Sequence, residues 1–565
     1  MMGIIGFSVG ILGFLLHQII DIISEFKWEL TSHYIGKNDF SSAVLFTIGY
    51  SLVFLITSCI LVLYQPAAAG SGIPEIIGFL NGTRIKDIFK LQTLIVKFLS
   101  CAFAVGCGMP VGYEGPMIHL GSLVAAGVSQ FKSATFECTL PFFSRFRNSE
   151  DRRNFISAGA AAGVASAFGA PVGGLLFAME EVSSFWKNKL SWQVFFCCMV
   201  ATFTTDLLNS SFHGFKYKGD FGLFKPKFMS KDLMAVNVIA VVPASLLGIL
   251  GGILGSGFIH TNITIARWRK KFMATIKGKH MKNLIRIVET VTILLIVSTV
   301  HIFVPALSGC TPLSCTYNVG DPDSQDKNVC YSTSNTTETI EVNLKFYTCV
   351  SQDHIVSGEN GTYEVLRNGS YSESATLFYG TGEQAVYHLY SKNTHRQFSY
   401  TSMATMLFIY FFLSCWSAGT YISCGLGDTK TFQNSISFPL SSLAVVPMLL
   451  IGGLYGRIIG RALVDYYGIQ EDKYWVASLV LIMTHVTLIA PRRPGWTLGP
   501  SRYSALSHFL LVHFEKNKWS IKQDHLRMNV APNLNIYLRS IDLFRSKIIK
   551  KKRSKVRDSH WIVIG

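Results

Sequence analysis

Apolar stretches of membrane-crossing length recur along the chain, near residues 3–24, 43–65, 91–110, 156–179, 193–208, 235–258, 285–306, 402–424 and 445–464. A helix needs about 20 apolar residues to cross the hydrocarbon of a bilayer, and only helices or closed barrels satisfy their backbone groups there. The chain therefore reads as an all-α polytopic membrane protein. Several spans are short or interrupted by glycine, the pattern of broken, re-entrant and tilted helices. Of 565 residues, 49% are hydrophobic and 15% charged, which argues against a soluble enzyme. The formal charge of +17 comes from lysines and arginines in connecting segments and the tail, so it reports topology rather than nucleic-acid binding. Met1-Met2-Gly3 enters the first span without a basic leader or a small-residue cleavage site, and no secretory signal peptide is expected.

Within this apolar text stands one carboxylate, in Gly112-Tyr113-Glu114-Gly115-Pro116-Met117-Ile118-His119. An ionisable group at membrane depth costs about 3 kcal/mol on insertion scales, so its default reading is functional. Gly112 and Gly115 let the backbone turn and approach a ligand, and Pro116 suits the first turn of a helix. The run Met117 to Val128 is then expected to be a helix whose free N–H groups point back at a Glu114 loop, an anion site by construction. A carboxylate there can occupy the site or, once protonated or displaced, yield it to a free anion. Glu114 reads as a gate.

Gly70-Ser71-Gly72-Ile73-Pro74-Glu75 repeats the pattern of glycine turn, hydroxyl and helix-opening proline. Gly425-Leu426, with Pro447 further on, forms a third such turn if the segment between them is set aside. Half-helices whose N-termini meet near the bilayer midplane are a common way for transporters to hold anionic groups.

These blocks, GSGIPE at 70–75, GYEGPMIH at 112–119 and FISAGAAAGVASAFGAPVGGLLFAMEEVSSFW at 155–186, resemble the signature sequences of the CLC family of chloride channels and chloride/proton exchangers, most of all its endosomal and lysosomal branch. The resemblance runs from about Gly3 to Gly468. It implies an inverted repeat of two halves with opposite membrane orientation, assembled as a homodimer with one pore per subunit. Carried over by position, Glu114 is the gating glutamate and Glu181 the proton-transfer glutamate of exchangers. Ser71, Gly72, Ile73, Gly112, Gly115, Val445 and Val446 would line the chloride site. The implied activity is chloride/proton antiport in a lysosomal or late endosomal membrane, without a cofactor or metal. Membrane lipid surrounds such a protein, and part of that branch has a small glycosylated accessory subunit.

Two alternatives stay open, a passive voltage-gated chloride channel and a non-conducting membrane protein that serves as a partner. An enzyme using Glu114 and Glu181 as an acid/base pair is disfavoured, because no nucleophile or metal constellation accompanies them. The chain departs from the family at Tyr113, where Lys or Arg is usual. Loss of that cation should weaken the local attraction for anions.

The connecting segments orient the chain. Seven lysines and arginines between Arg267 and Lys282 place that segment in the cytosol and send the span at 285–306 outward. Residues 307–400 agree, carrying glycosylation sequons at Asn335, Asn360 and Asn368 and the cysteines Cys310, Cys315, Cys330 and Cys349. One or two disulfides in an oxidising lumen are expected, with the pairing open. The sequon at Asn81 sits beside Arg84, Lys86 and Lys90 and reads as chance. His119 reads as a packed, hydrogen-bonded residue, Glu75 as a helix-start carboxylate and Glu180 as orienting.

Two regions do not fit the family text. Residues 427–444, GDTKTFQNSISFPLSSLA, interrupt it and read as a spurious insertion, such as a retained intron; a genuine loop is the alternative. Residues 469–565 are atypical, with no CBS domains recognised, so the expected transmembrane domain is 1–468. WTLGPSRYS at 496–504 can be reread in a shifted frame as family-like text, which suggests a frameshift upstream, and the final basic run carries no assigned function.

Overall fold

The structure, a computed structural model, describes residues 1–83, 85–130, 132–133, 138–139, 146–183, 186–212, 241–319, 329–331, 338–339, 344–345, 347–349, 351–357, 363–390, 398–417 and 450–459. All of these fall in the unit Met1–Phe509, and the unit Leu510–Gly565 lies outside them. So do the segments 427–444 and 469–565 singled out above.

Helices α1 (Met2–Gly36), α2 (Phe40–Tyr64), α3 (Ile73–Leu80), α4 (Leu91–Gly106) and α5 (Glu114–Gln130) open the chain. Asp39 caps α2 by accepting the Ser42 N–H at 3.1 Å, satisfying one of the amides that a helix start leaves free. A two-stranded turn, β1 (Lys132–Ser133) and β2 (Cys138–Thr139), leads to α6 (Ser149–Phe168), whose first turn is capped by Asn148. Gly169 in the left-handed conformation ends α6, and Pro171 opens α7 (Pro171–Phe177) at once. The single apolar span at 156–179 is thus two helices, since glycine permits the left-handed stop and proline suits a new start. Helices α8 (Asn188–Phe212), α9 (Val241–Thr275) and α10 (Lys279–Leu307) follow.

Small residues let these helices touch backbone to backbone. A Cβ placed on Gly6 or Gly10 of α1 would lie 2.4 Å and 2.6 Å from the carbonyl oxygens of Cys197 and Ala201 on α8. On α5 and α6, Gly121 and Gly159 face one another, each with a would-be Cβ within 2.3 Å of the other's carbonyl oxygen. Apolar burial gains little when the alternative surroundings are lipid tails, so close van der Waals contact of this kind holds the bundle. The outer surface has the complementary character. Leu45, Trp192 and Phe408 are 76%, 77% and 68% exposed, and four described helices are long and apolar enough to cross a membrane. The chain is a multi-pass membrane protein.

The polar segment after α10 carries more regular structure than its sequence suggests. Strands β3 (Cys310–Val319), β4 (Val329–Tyr331), β5 (Glu338–Thr339), β6 (Ser351–Ser357) and β7 (Tyr363–Ser372) form an antiparallel sheet in the order β5-β4-β3-β7-β6. Short helices α11 (Glu373–Phe378) and α12 (Gly382–Tyr390) return the chain to α13 (Tyr400–Ser417), and α14 (Leu450–Ile459) is the last described helix. Cys310 is bonded to Cys349, which resolves one of the open pairings, and the register sets Cys315 opposite Cys330. Asn368 lies on β7, while Asn335 and Asn360 lie outside the described residues.

The Cys310–Cys349 bond closes a loop with a sequence separation of 39. Chain-entropy estimates for a loop of this size give about 4 kcal/mol, delivered locally to the sheet. Cys310→Ser is expected to make the 310–372 region protease-sensitive while the helical bundle keeps its melting temperature. Limited proteolysis beside a thermal melt in detergent checks this, and an unchanged cleavage pattern would contradict it.

Candidate functional site

The first sequence-predicted turn closes as its residues require. Gly70 and Gly72 take φ of 74° and 81°, left-handed values that suit glycine, and Pro74 stands in the first turn of α3. Ser71 is 2% exposed, and its hydroxyl accepts the Ile73 N–H at 3.3 Å. Gly72 is needed for space as well as for conformation. A Cβ there would lie 2.1 Å from Nδ1 of His119.

His119 in turn holds a cation. Its Nε2 faces the Ile88 carbonyl oxygen at 3.1 Å, which requires an N–H on that nitrogen. In the neutral ring Nδ1 is then the acceptor, and Lys97 of α4 donates to it at 2.8 Å. Both side chains are fully buried. A lysine is therefore held one side chain away from the Ser71–Gly72 turn, on the far side of His119 Nδ1, where its field adds to that of the α3 N-terminus.

Helix α5 begins at Glu114, three residues earlier than the sequence suggests. The Met117 N–H donates to the Tyr113 carbonyl at 2.9 Å, so Tyr113 is the capping residue and Glu114 the first helical one. Pro116 permits this because the amide it lacks has no partner in a first turn. Neither Gly112 nor Gly115 has a positive φ; the left-handed residue of this loop is Gly108, whose would-be Cβ meets Nζ of Lys27 at 2.8 Å. Glu114 is 4% exposed. Tyr410 of α13 lies within its electrostatic reach, and the Ser417 hydroxyl ties the end of α13 to the Pro110 carbonyl at 3.1 Å. His119 is five residues past Glu114, about 7.5 Å along the helix axis. The contact between Gly72 and His119 thus draws the two helix starts together.

Glu181 sits on a different device. Residues Ala178–Val182 form a π-helical turn, closed by the Ser183 N–H on the Ala178 carbonyl at 3.0 Å. Such turns insert an extra residue into a helix and re-aim its side chains, often at functional positions. Glu180 and Glu181 are both part-buried, and the turn packs against α3 and α6. Ser157 of α6 is hydrogen-bonded to Ser183 at 3.0 Å. The structure therefore groups Ser71, Gly72, Ile73 and the turn bearing Glu181 around α3, with Gly112, Glu114 and Gly115 at the adjoining start of α5. Val445 and Val446 lie outside the described residues.

Sequence reading missed Lys97 and His17. Lys97 is a lone cation in LIVKFLS, and the rule that singled out Glu114 would have found it. His17 of α1 is paired with Asp21 at 2.7 Å, and its ring stands edge-on to that of buried Tyr113, with centroids 6.1 Å apart. The contact joins residues 17 and 113, so no local pattern announces it.

The sequence pattern of the family described as voltage gated chloride channel matches residues 52–427. The chain belongs to this family, the CLC proteins. Among its relatives, chloride channel protein C of Dictyostelium discoideum is 32% identical over 460 residues, covering 81% of this chain and 53% of that protein. The H(+)/Cl(-) exchange transporter 7 of Homo sapiens is 30% identical over 470 residues, covering 81% of this chain and 50% of that protein. The chain thus spans about half the length of these CLC relatives. A slow cyanobacterial Cl-/H+ antiporter shares the CLC fold with a TM-score of 0.56 at 16% identity, covering 90% of each chain. A eukaryotic CLC transporter gives 0.52 at 16% identity, covering 91% of this chain and 72% of that one.

Proposed function

We propose that this CLC protein exchanges chloride for protons across an intracellular, endolysosomal membrane, with Glu114 as the gate. The observation that carries the reading is the buried carboxylate of Glu114 at the first residue of α5, beside a second helix start at Ser71–Ile73 whose Gly72 abuts His119, the partner of Lys97. Helix-end amides and a desolvated cation favour a negative charge at this place. A carboxylate and a chloride ion compete for it, and protonation of Glu114 surrenders it to chloride. Glu181, on its π-helical turn against α3, supports a proton route from the other side. No step calls for a cofactor, a metal or a covalent intermediate, so the reading is transport rather than catalysis. A homodimer in lipid, glycosylated at Asn335, Asn360 and Asn368, completes the proposal, with a small glycosylated subunit as its further partner.

The neutral side chain at Tyr113 favours a second reading, passive chloride conduction, because less positive field then opposes release of the gate. Proteoliposomes under a chloride gradient and no pH gradient separate the two. Exchange predicts proton movement driven by the chloride gradient, building a pH difference where none was imposed. Chloride flux without proton movement would establish the channel, and no flux of either ion would leave a non-conducting partner protein.

A further inference from the structure

Residues 107–113, between α4 and α5, deliver Glu114 to its place, and two side chains from distant parts of the chain hold this loop. At its start the Lys27 ammonium of α1 donates to the Cys107 carbonyl at 2.8 Å. Further on, the Ser417 hydroxyl at the end of α13 donates to the Pro110 carbonyl at 3.1 Å. Both side chains are buried. Neither belongs to the anion site or to the Glu114–Glu181 route.

Both tethers lead back to one module, that of β3–β7 and α11. Lys27 lies over the Trp28 ring, 4.4 Å from its centroid, a contact that attracts a cation to the face of an indole. Trp28 is stacked on Tyr379, the residue after α11, with centroids 4.5 Å apart and 17° between planes. The Tyr347 ring stands edge-on to Tyr379, and its hydroxyl donates to the Ile302 carbonyl of α10 at 3.0 Å. On the other tether, Glu373 of α11 accepts the N–H and the hydroxyl of Ser399 at 2.7 Å and 2.6 Å, just before α13 begins. Its second oxygen accepts the Thr311 hydroxyl of β3 at 2.7 Å. Helix α13 then runs from Glu373 to Ser417. We infer that Lys27 is a positioning residue for the gate, through which this module, together with α13, sets the loop that carries Glu114. The inference rests on the proposed gate at Glu114.

The chemistry of the first tether explains why a lysine stands there. Burying an ammonium is costly, and an apolar side chain of equal length would fill the space at less cost. The position is therefore used for what the charge supplies. Cys107 is the C-cap of α4, where a helix leaves carbonyl groups without intrahelical donors and its dipole is negative. A cation anchors that end of the loop. The backbone is drawn up against it, since Gly108 takes a φ of 91° and a Cβ there would lie 2.8 Å from Nζ of Lys27. A shift of the Trp28–Tyr379 stack thus moves Lys27, and with it the chain that leads to Glu114.

Lys27→Met keeps the length and the apolar stem of the side chain and removes the donor. Amide exchange of residues 107–113 in detergent is expected to rise by about tenfold, the scale of losing a hydrogen bond to a charged group. In proteoliposomes the protons moved per chloride are expected to fall while chloride flux persists. Lys27→Arg retains a cation and a donor and is expected to restore part of both. Tyr379→Leu removes the ring that steadies Trp28 and lies outside the loop. It is expected to raise exchange of 107–113 in the same direction, and to add little on top of Lys27→Met because the two act in series. Unchanged coupling in Lys27→Met, whatever its melting temperature, makes Lys27 a packing residue and overturns the inference. Wild-type exchange of 107–113 in Tyr379→Leu overturns it as well. If Glu114→Gln leaves proton movement intact, the gate reading fails, and exchange of 107–113 in the two variants still decides whether the module holds the loop.

Discussion

Glu114→Gln is expected to abolish proton movement while chloride continues to pass. Glutamine has nearly the shape of a protonated glutamate and can neither lose a proton nor compete as an anion. At the first residue of α5, 4% exposed, it would hold the site in the surrendered state. Chloride-driven proton uptake should fall by at least about tenfold, the loss that follows when an essential proton carrier is removed. Chloride flux should persist or rise, with its dependence on pH through Glu114 gone. Glu181→Gln provides the contrast. It leaves the gate able to protonate, so proton transport should be lost while the chloride flux it leaves behind remains gated. Parallel pH and chloride electrodes on one proteoliposome sample read both quantities. Retained proton pumping in Glu114→Gln would remove Glu114 from the transport cycle and would leave Glu181 without its proposed partner. The buried Lys97 should keep chloride bound in both variants, because its field does not depend on either carboxylate.

How much of this was legible beforehand depends on the range of each interaction. The turn at Ser71–Gly72–Ile73 and the carboxylate at Glu114 are written in short motifs, since a glycine that must turn left-handed and a proline that opens a helix leave local marks. The helix start was misplaced by three residues because Pro116 tolerates any position in a first turn, so proline alone does not fix which residue caps. Gly112 and Gly115 do not take the left-handed φ that glycine favours, while Gly108, outside the motif, does. The π-helical turn under Glu181 differs from an α-helix by one hydrogen bond, from Ser183 to Ala178, too little to disturb the hydrophobic pattern. The sheet of 310–372 lies in a polar segment whose strand signal, the alternation of Leu313, Cys315, Tyr317 and Val319 in β3, is spread among cysteines and sequons that drew the reading towards disulfides and topology instead. Lys97 with His119, and His17 with Tyr113, pair across different helices, and only tertiary packing brings them together.

That packing is itself exposed to a sharp test on the α5–α6 contact. A Cβ on Gly159 would lie 2.3 Å from the Gly121 carbonyl oxygen, and one on Gly163 would lie 2.4 Å from the Met117 carbonyl oxygen. Both obstacles are backbone, so neither can rotate away, and the helices must separate. Overpacking of a close-packed interior typically costs about 1–3 kcal/mol and more when backbone has to move. Gly159→Val is therefore expected to eliminate the monodisperse protein in detergent. Gly163→Ala is the milder and more informative change. Met117 is the residue whose N–H makes the first hydrogen bond of α5, so pushing it outward shifts Glu114 relative to the Ser71–Gly72 turn. A protein that still folds, with a melting temperature several degrees lower, should then show weakened coupling of protons to chloride although no ionisable group has changed. Gly127→Ala on the same helix is the control, because nothing lies within 4 Å of its would-be Cβ. It should leave both stability and coupling intact, and alanine should even favour the helix slightly. If Gly127→Ala and Gly163→Ala behaved alike, the close approach of α5 to α6 would not be what positions the gate.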